Sequence, residues 1–345
     1  MKTVMIVKDY NKETGALGEI ECLDIPQPKV VNDDDVLVKV AYSSVCGSDP
    51  NMLKGMLPIK VPRPLGHEFS GIIEDLGPKA TKSGLKVGDR VTGDFQQTCG
   101  VCDYCRNGLS QFCANTINRT SAQSQYLVWS EAQIFKLPDS LNLLEATLAE
   151  PFTIALHAME KADMKLGAKV AISGGGGIGL MLVQLAKLIG ASQVTLLEPV
   201  ESKRKLALSL GADYAIDSIN ENVTEITAEI THGLGFDVII ESSGNSKAAE
   251  TALEISAKGG HIVYFSMYKT DYNLPLNLFN YCYHRELRIQ GMYLAQGSFP
   301  RAIAMLPRMN FKPLIQKIYS LDECKLAYAD QMSGNYAKIV FDCSK

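Results

Sequence analysis

The segment from residue 169 to residue 198 constrains the fold of this chain more than any other. A short β-rich run, Lys169 to Ser173, is followed by four glycines, by an apolar pattern of helical spacing and by a second strand pattern that ends at Glu198. Strand, glycine turn, helix, strand and acid in this order are typical of a parallel βαβ unit. Together with the strand and helix patterns that follow, the segment predicts an α/β fold with a doubly wound parallel sheet.

The glycine turn also predicts a ligand, because its spacing is G-x-G-x-x-G. Gly174 permits the tight turn, Gly176 lets the backbone approach a pyrophosphate, and Gly179 lets the helix and strand pack closely. Amides at the start of the helix, including those of Gly177 and Ile178, would face the phosphates. We therefore expect a dinucleotide site here, with an ordinary glycine-rich turn as the alternative.

The acid after the second strand predicts which dinucleotide is bound. Glu198 can accept hydrogen bonds from both ribose hydroxyls and would repel a 2′-phosphate, so we expect NAD rather than NADP. Lys203, on the next helix, could contact the ribose or lie on a solvated helix face. Ser243 and Ser266 follow later strand patterns and should line the same crevice, since ligands bind at the carboxyl ends of parallel strands.

Four of the nine cysteines lie close together, in TCGVCDYCRNGLSQFC. Two-residue gaps let neighbouring thiolates turn onto one metal ion, and the longer gap brings in a fourth thiolate from the far side of a loop. Four thiolates with no open position predict a closed, structural zinc site, and an iron–sulfur cluster is the competing interpretation. The predicted ligands are Cys99, Cys102, Cys105 and Cys113.

A second set of metal-binding residue types is more dispersed. Cys46, His67, Glu68 and Glu150 each stand in a short motif with glycine or proline. Any one of them alone would be a weak indication, because a lone cysteine on an apolar strand usually belongs to the core. A catalytic zinc takes three protein ligands and keeps one position for water or substrate. Taken together, these residues predict such a site.

Composition excludes several other classes of protein. Lys plus Arg is 34 and Asp plus Glu is 38, so the net charge of −4 does not suit a nucleic-acid partner. No run approaches the ~20 apolar residues of a membrane span, and the start of the chain lacks a signal-peptide pattern. An odd number of cysteines then argues against a disulfide framework. We expect a cytoplasmic protein that acts on a small molecule.

The chain as a whole resembles the zinc-dependent medium-chain alcohol and polyol dehydrogenases. The motifs are CGSD at 46–49, GHE at 66–68, the four-cysteine segment, EP at 150–151, GGGGIG at 174–179 and GAD at 211–213. The resemblance implies a GroES-like catalytic domain at residues 1–149 and 285–345, with a zinc lobe at 95–115. It also implies a Rossmann NAD-binding domain at 150–284. Relatives with the Glu-Pro pair are often tetramers, built on dimers that extend the Rossmann sheet at its last strand, so the resemblance implies a homo-oligomer, a tetramer or a dimer.

The resemblance also implies roles at the dispersed metal site, with a second zinc ion per chain. The positions matching Cys46 and His67 bind the catalytic zinc, and Glu68 or Glu150 completes the shell, directly or through water. The Glu-Pro pair is typical of sorbitol, threonine and sugar-alcohol dehydrogenases. We therefore expect reversible hydride transfer between NAD and a secondary alcohol of a polyol or sugar alcohol.

Further residues match the family at single positions. Ser48 matches the hydroxyl that takes the alcohol proton, and Asp49 matches the carboxylate that accepts from the zinc-bound histidine. Thr153 matches a position beside the nicotinamide. The chain departs from the family at Asn51, which replaces the outer histidine of a proton relay, and at Met292, where sorbitol dehydrogenases carry arginine.

Several alternatives to a polyol stay open. CGSDPNML with LGHEFSG also resembles galactitol-1-phosphate 5-dehydrogenases, so a sugar-alcohol phosphate is one alternative, and threonine or a short diol is another. Lys54, Lys60 and Arg63 could meet a phosphate, although ordinary loop solubility is the favoured interpretation. A zinc-free reductase of the same fold and a non-catalytic redox sensor that binds zinc and NAD are the remaining alternatives.

Overall fold

The computed structural model describes residues 1–295 and 297–345. The strands are β1 (Lys2–Lys8), β2 (Glu19–Asp24), β3 (Asp35–Ser44), β4 (Arg63–Pro64), β5 (Glu68–Leu76), β6 (Arg90–Gly93), β7 (Gln96–Gln97), β8 (Ile117–Asn118), β9 (Tyr126–Ser130), β10 (Ile134–Lys136), β11 (Lys169–Ser173), β12 (Gln193–Leu197), β13 (Tyr214–Ile216), β14 (Phe236–Glu241), β15 (Ser256–Tyr264), β16 (Arg288–Gly291), β17 (Ile315–Ser320) and β18 (Lys338–Asp342).

Short and long helices connect these strands. The α-helices are α1 (Ser48–Leu53), α2 (Pro78–Lys82), α3 (Asp103–Arg106), α4 (Leu143–Ala146), α5 (Ala149–Ala162), α6 (Gly177–Ile189), α7 (Glu201–Ser209), α8 (Val223–Ile230), α9 (Ser246–Ile255), α10 (Phe299–Met305) and α11 (Cys324–Ser333). Short 3₁₀ helices cover Ser110–Phe112, Glu131–Gln133, Leu306–Arg308, Lys312–Leu314 and Leu321–Glu323, and a π-helix covers Phe279–His284. Within the described residues, none of these helices has the length and apolar character needed to span a membrane.

The chain divides into two compact units, Met1–Thr153 with Gln296–Lys345, and Ile154–Ala295. The sequence predicted the boundaries after residue 149 and before residue 285. The second boundary differs for a structural reason. Strand β16 pairs in parallel with β15, from His261 opposite Arg288 to Tyr264 opposite Gly291. A boundary before residue 285 would therefore remove the last strand from its sheet.

The first unit is built mainly from antiparallel strand pairs, and only β17 and β18, among its described strands, pair in parallel. Its main sheet has the order β10-β6-β5-β3-β18-β17, with β9 also paired to β3, and a smaller sheet has the order β2-β1-β4. Alternate residues of β3 face the core, where Val36 and Val38 are fully buried, and the rings of Phe69 and Trp129 meet edge to face at 5.0 Å. The predicted β-rich domain is confirmed by this topology, in which β17 and β18 from the end of the chain join the main sheet.

The register of the main sheet brings three strand ends together. Ser44, at the end of β3, is paired with Glu68, the first residue of β5. Ser44 is also paired with Val340, two residues after the start of β18. Because both neighbours run antiparallel to β3, the residues just after β3, just before β5 and at the start of β18 lie at one edge of the sheet.

The second unit is a parallel sheet with the order β13-β12-β11-β14-β15-β16. Every pairing in it is parallel, and helices α6 to α9 connect its strands, as expected for a doubly wound domain. Fully buried side chains such as Ala171, Ile239 and Ile262 form its core. The edge strand β13 is three residues long, and the strand patterns in the sequence did not identify it.

Candidate metal and dinucleotide sites

The four-cysteine segment folds into a cluster that suits one metal ion. One ligand atom from each of the four predicted cysteines lies within 4.8 Å of the others. The Sγ atoms of Cys102 and Cys113 are 4.0 Å apart. Tetrahedral bonds of about 2.3 Å place sulfur atoms about 3.8 Å apart, so little adjustment is needed to hold zinc.

Hydrogen bonds in this lobe also favour bound thiolates. The amide of Cys102 donates to Cys99 Sγ at 3.4 Å, and the amide of Cys99 donates to Cys113 Sγ at 3.3 Å. Backbone donors at Val101 and Cys102 lower the pKa of Cys99 to about 6, whereas burial and the neighbouring thiols raise the pKa of Cys105 to about 12. A cation shared by the four sulfurs would let all of them ionise together.

The second cluster forms where the ends of β3 and β5 meet. Cys46 lies just after β3, His67 lies just before β5, and Glu68 is the first residue of β5. Among the described residues, these three offer ligand atoms within 4.8 Å of one another. Cys46 and His67 are half-buried, and Glu68 is buried. This is a compact set of one sulfur, one nitrogen and one oxygen donor.

The acidic groups of the second cluster favour binding of a cation. Burial and the charges of Glu68 and Asp49 raise the pKa of Cys46 to about 12. Glu150 is buried as well, and desolvation raises its pKa well above the usual range, with Glu68 and Cys46 adding to the effect. Among the described residues, the buried atoms Glu68 Oε1 and Asp49 Oδ1 have no hydrogen-bond partner. A divalent cation would relieve this concentration of negative donors, so the residues fit a zinc ion.

Lys338 is a component of this site that no sequence motif indicated. Its ammonium group, at the start of β18, donates to Glu68 Oε2 and, at 3.2 Å, to the carbonyl oxygen of Val45. Ser44 Oγ donates to the same carboxylate oxygen. Burial alone would raise the pKa of Glu68, but the charges of Lys338 and His67 and these hydrogen bonds hold it below the usual range. Glu68 is therefore an ionised carboxylate with one oxygen committed to Lys338.

Three further predicted residues lie in the same unit, one for proton transfer, one for orienting the histidine and one for the nicotinamide. Ser48 begins α1, is half-buried and forms a side-chain hydrogen bond with Cys46. Asp49 Oδ1 lies 3.8 Å from His67 Nδ1, as expected for a carboxylate that would orient this ring. Thr153 is buried and its hydroxyl donates to the carbonyl oxygen of Glu150 at 2.6 Å. Its hydrogen bond is thus internal to α5.

In the second unit, the glycine turn has the geometry of a phosphate loop. Gly174 has a φ of +99°, and Gly176 precedes α6, which begins at Gly177. Ile178 is half-buried in the first turn of this 13-residue helix. A Cβ at Gly179 would lie 1.8 Å from the carbonyl oxygen of Gly174, so only glycine allows the turn and helix to approach this closely.

Glu198 lies at the same edge of the sheet and contacts the turn directly. Its Oε2 accepts from the Gly175 amide at 2.6 Å, and its Oε1 accepts from the Val200 amide at 2.9 Å. Each carboxylate oxygen has a second lone pair, so ribose hydroxyls could still donate to it. Lys203 is buried rather than solvated, and burial lowers its pKa while the charge of Glu198 opposes that change.

The two predicted serines converge on a buried residue that sequence reasoning missed. Ser243 donates its amide to Glu241 Oε1 at 2.8 Å, and Ser266 donates its hydroxyl to the Glu241 carbonyl oxygen at 3.3 Å. Tyr268 donates its hydroxyl to Glu241 Oε2. Glu241 thus connects the loop after β14 to the loop after β15. The position of an acid at the end of the apolar run FDVII was the available signal.

A pair of glycine variants should separate folding from binding in this turn. Gly179→Ala forces a methyl group onto the Gly174 carbonyl, whereas a Cβ at Gly176 meets no atom within 4 Å. We expect Gly179→Ala to destabilise the protein by about 1–3 kcal/mol or more. Gly176→Ala should leave stability unchanged but weaken dinucleotide binding, because the methyl occupies the space of the pyrophosphate. Thermal unfolding and NADH fluorescence titration measure the two effects; equal melting of both variants would contradict the expectation.

Comparison with known proteins finds two family segments in the chain. Residues 32–139 match the family model of the alcohol dehydrogenase GroES-like domain, and residues 177–308 match that of the zinc-binding dehydrogenases. These segments include Cys46 and His67 in the first unit and most of the parallel sheet in the second.

Individual relatives match over nearly the full chain. Identity is 32% with the L-threonine 3-dehydrogenase of Marinomonas sp. (strain MWYL1), over 92% of this chain and 95% of that protein. Identity is also 32% with the D-arabitol-phosphate dehydrogenase of Enterococcus avium, over 97% of both chains. A crystal structure from Clostridium scindens ATCC 35704, described as a zinc-binding dehydrogenase, matches with a TM-score of 0.95 at 38% identity over 100% of both chains. The chain therefore belongs to the zinc-dependent medium-chain alcohol and polyol dehydrogenases, a family of nicotinamide-dependent oxidoreductases, as its motifs predicted.

Proposed function

We propose that this protein transfers hydride between NAD and a secondary alcohol of a polyol or sugar alcohol, interconverting alcohol and ketone. The observation that carries the proposal is the convergence of Cys46, His67 and Glu68, three donors of the types that catalytic zinc uses. The same chain holds a dinucleotide turn with an acid at its edge, in the second unit. A zinc ion bound at this cluster would act as a Lewis acid towards the substrate oxygen.

Geometry favours Glu68 over Glu150 as the third ligand. Glu68 Oε1 is buried without a hydrogen-bond partner among the described residues, while Oε2 is held by Lys338 and Ser44. Glu150 is not among the ligand atoms within 4.8 Å of one another, although its charge is coupled to those of Cys46, His67 and Glu68. We therefore assign Glu150 to the surroundings of the metal site, where its charge is coupled to those of the ligands without binding the ion directly.

Ser48 is the residue we assign to proton transfer. It is half-buried and hydrogen-bonded to the Cys46 thiol, so its hydroxyl lies beside the donor set. A hydroxyl there can accept a hydrogen bond from the alcohol O–H and relay its proton outward, while the hydride leaves the carbon that bears this oxygen. Asn51 cannot titrate, so the proton then passes to water rather than to an outer histidine. The hydride chemistry itself belongs to the nicotinamide, and we assign Ser243 and Ser266 of the second unit to the dinucleotide site.

The charges around the site favour an uncharged polyol over a phosphate ester. The carboxylates whose charges act on this cluster are those of Asp49, Glu68, Glu150 and Asp94, and Lys338 is already paired with Glu68. Lys54 and Lys60 are exposed, and Arg63 lies in β4. The cationic side chains whose charges act on Glu68 are Lys338, which is paired with it, and His67, which we propose as a metal ligand, so neither is available to bind a phosphate. Threonine, the substrate in the name of one relative, is the second candidate, because its ammonium group suits these carboxylates.

We also propose that the protein works as a homo-oligomer in the cytoplasm. Strand β16 is an edge strand of its sheet, and exposed apolar side chains accompany it, including Phe279, Tyr283 and Ile289. Pairing of β16 with a second copy would cover this edge. The nine cysteines are all unpaired, which suits a reducing compartment.

A substrate panel with both dinucleotides tests the proposal. NADH formation is followed with polyols, their phosphates, L-threonine and short diols, and each active substrate is repeated with NADP. We expect a polyol to give the highest kcat/KM and NAD to exceed NADP by at least about 100-fold, since Glu198 would face a 2′-phosphate. A Glu198→Gln variant should reduce that preference. Absence of turnover with every alcohol, in protein containing zinc, would contradict the proposal, and a preference for NADP would contradict the assignment of Glu198.

A further inference from the structure

We infer that Gln123 and Tyr328 are positioning residues for the candidate catalytic metal, acting through Asp49 on His67. The inference rests on the metal site of the proposed function, but it concerns how firmly this chain holds the metal rather than which alcohol it oxidises. Neither residue belongs to a motif that pointed to the site, and they lie far apart in the sequence.

Buried hydrogen bonds connect Tyr328 through Gln123 to Asp49. Tyr328 Oη donates to Gln123 Oε1 at 2.9 Å, and Gln123 Nε2 donates to Asp49 Oδ2 at 3.0 Å. Asp49 Oδ1 lies 3.8 Å from His67 Nδ1. Asp49 and Gln123 are fully buried and Tyr328 is 1% exposed, so water cannot replace these partners.

The chemistry of these groups determines which atom donates and which accepts in each hydrogen bond of the series. Asp49 is an acceptor when ionised, so the amide of Gln123 must present its nitrogen to the carboxylate. The amide oxygen then faces Tyr328, whose hydroxyl supplies the proton. Asp49 Oδ2 is therefore occupied by the Gln123 amide and by the amide of Cys46, at 3.1 Å. Oδ1 has no other partner among the described residues and is left for the N–H of His67.

The main chain holds Gln123 rigidly beside the metal-binding histidine. Its N–H donates to the Leu65 carbonyl at 3.1 Å, and its carbonyl accepts from the Val4 amide at 2.9 Å. A Cβ on Gly66 would lie 2.5 Å from both the nitrogen and Cγ of Gln123, so the glycine of GHE is what lets this side chain pass. Tyr328 comes from α11, in the returning tail. The tail thereby contributes to the site through a hydrogen bond.

Loss of these hydrogen bonds should weaken metal binding without removing a metal ligand. In Gln123→Met, Asp49 keeps only the Cys46 amide on Oδ2 and can turn away from His67; in Tyr328→Phe, the Gln123 amide loses the donor that fixes its orientation. Outer partners of metal-binding histidines are typically worth about 10- to 100-fold in metal affinity. Because Gln123 is one step further out, we expect Gln123→Met to release the metal to a chelator about 10-fold faster than wild type.

The experiment uses the full-length, zinc-loaded protein and follows zinc release to a colorimetric chelator. Zinc is released from two sites, the four-cysteine lobe and the cluster of Cys46, His67 and Glu68, and the lobe serves as an internal reference in each variant. A general loss of structure would accelerate release from both sites equally. Cobalt-substituted protein gives a second measurement, because its visible absorption bands report the geometry around the histidine. Gln125→Met and Tyr319→Phe are the matched controls, since Gln125 accepts from the Lys2 amide and Tyr319 donates to Asp330.

In Gln123→Met, we expect faster zinc release from the cluster of Cys46, His67 and Glu68 only, together with altered cobalt absorption bands. Both control variants should behave like wild type. The inference also predicts that the double variant Gln123→Met/Tyr328→Phe releases zinc no faster than Gln123→Met alone, because the two residues act in series. Unchanged release and unchanged cobalt bands in Gln123→Met would overturn it. Additive effects in the double variant would overturn the series arrangement. A wrong substrate assignment would leave all of these results intact, so the two failures are distinguishable.

Discussion

Cys46→Ser should lower turnover of the best alcohol substrate by at least about 1,000-fold, because the thiolate is the donor that holds zinc most strongly in this set. The serine hydroxyl would not ionise at this position, where burial and the charges of Glu68 and Asp49 already raise the pKa of the thiol. Without the Lewis acid, the alcohol proton must leave at its ordinary, very high pKa. The measurement is the rate of NADH formation at saturating NAD.

The control for this variant is binding of the dinucleotide. The glycine turn and Glu198 belong to the second unit, so NADH should bind Cys46→Ser with an affinity within about threefold of wild type, since no residue of the dinucleotide turn is changed. Cys22→Ser is the matched substitution, because Cys22 lies in β2 and outside both metal clusters. It should retain full activity. Wild-type turnover by Cys46→Ser protein that contains no metal at this site would contradict the mechanism.

Lys338→Met should destabilise the first unit by about 3–5 kcal/mol, which is the usual cost of leaving one partner of a buried ion pair uncompensated. Lys338 and Glu68 are 6% and 1% exposed at their side chains. The methionine fills the space of the lysine stem but cannot offset the charge of Glu68. Urea unfolding of metal-free protein measures the effect. Lys2→Met removes the exposed ion pair with Asp322 and should leave the free energy of unfolding almost unchanged, because solvent screens the pair.

The destabilisation should depend on pH in a defined direction. The pKa of Glu68 is lowered in the folded protein from its usual 4.5, so its contribution is complete above that pH and declines as the pH falls. The pKa of Lys338 is raised from its usual 10.5, so its contribution is complete below that pH and declines above it. The difference between wild type and Lys338→Met should therefore be greatest between pH 4.5 and pH 10.5. A difference that grows as the pH falls towards 3 would contradict this explanation.

The parts of the site whose residues lie close together in the sequence could be predicted from it. The cysteines of the metal lobe are separated by at most seven residues, and the glycine turn, helix and acid fall within 30, so spacing alone implies proximity. The motifs around Cys46 and His67 could be recognised because neighbouring residues match a known pattern. Strand patterns likewise predicted the parallel sheet, except β13, whose three residues are too few for a clear period.

The residues that sequence reasoning missed act across long separations. Lys338 stands in YAKIVF, an apolar strand in which a single lysine usually marks an exposed position, and only the pairing of β18 with β3 turns it towards Glu68. Gln123 and Tyr328 are common residue types without a spacing rule that links them to Asp49. One lysine inside a strand of otherwise buried residues was the sole signal. Tertiary register, which no local pattern encodes, decides these contacts.

The most direct test of the proposed chemistry is a crystallographic anomalous difference map collected at the zinc absorption edge. The account predicts a peak within about 2.0–2.3 Å of Cys46 Sγ, a ring nitrogen of His67 and a carboxylate oxygen of Glu68. A second peak, at the centre of the four cysteines of the lobe, serves as the internal standard. A map with the lobe peak at full height and no peak at Cys46, His67 and Glu68 would contradict the account.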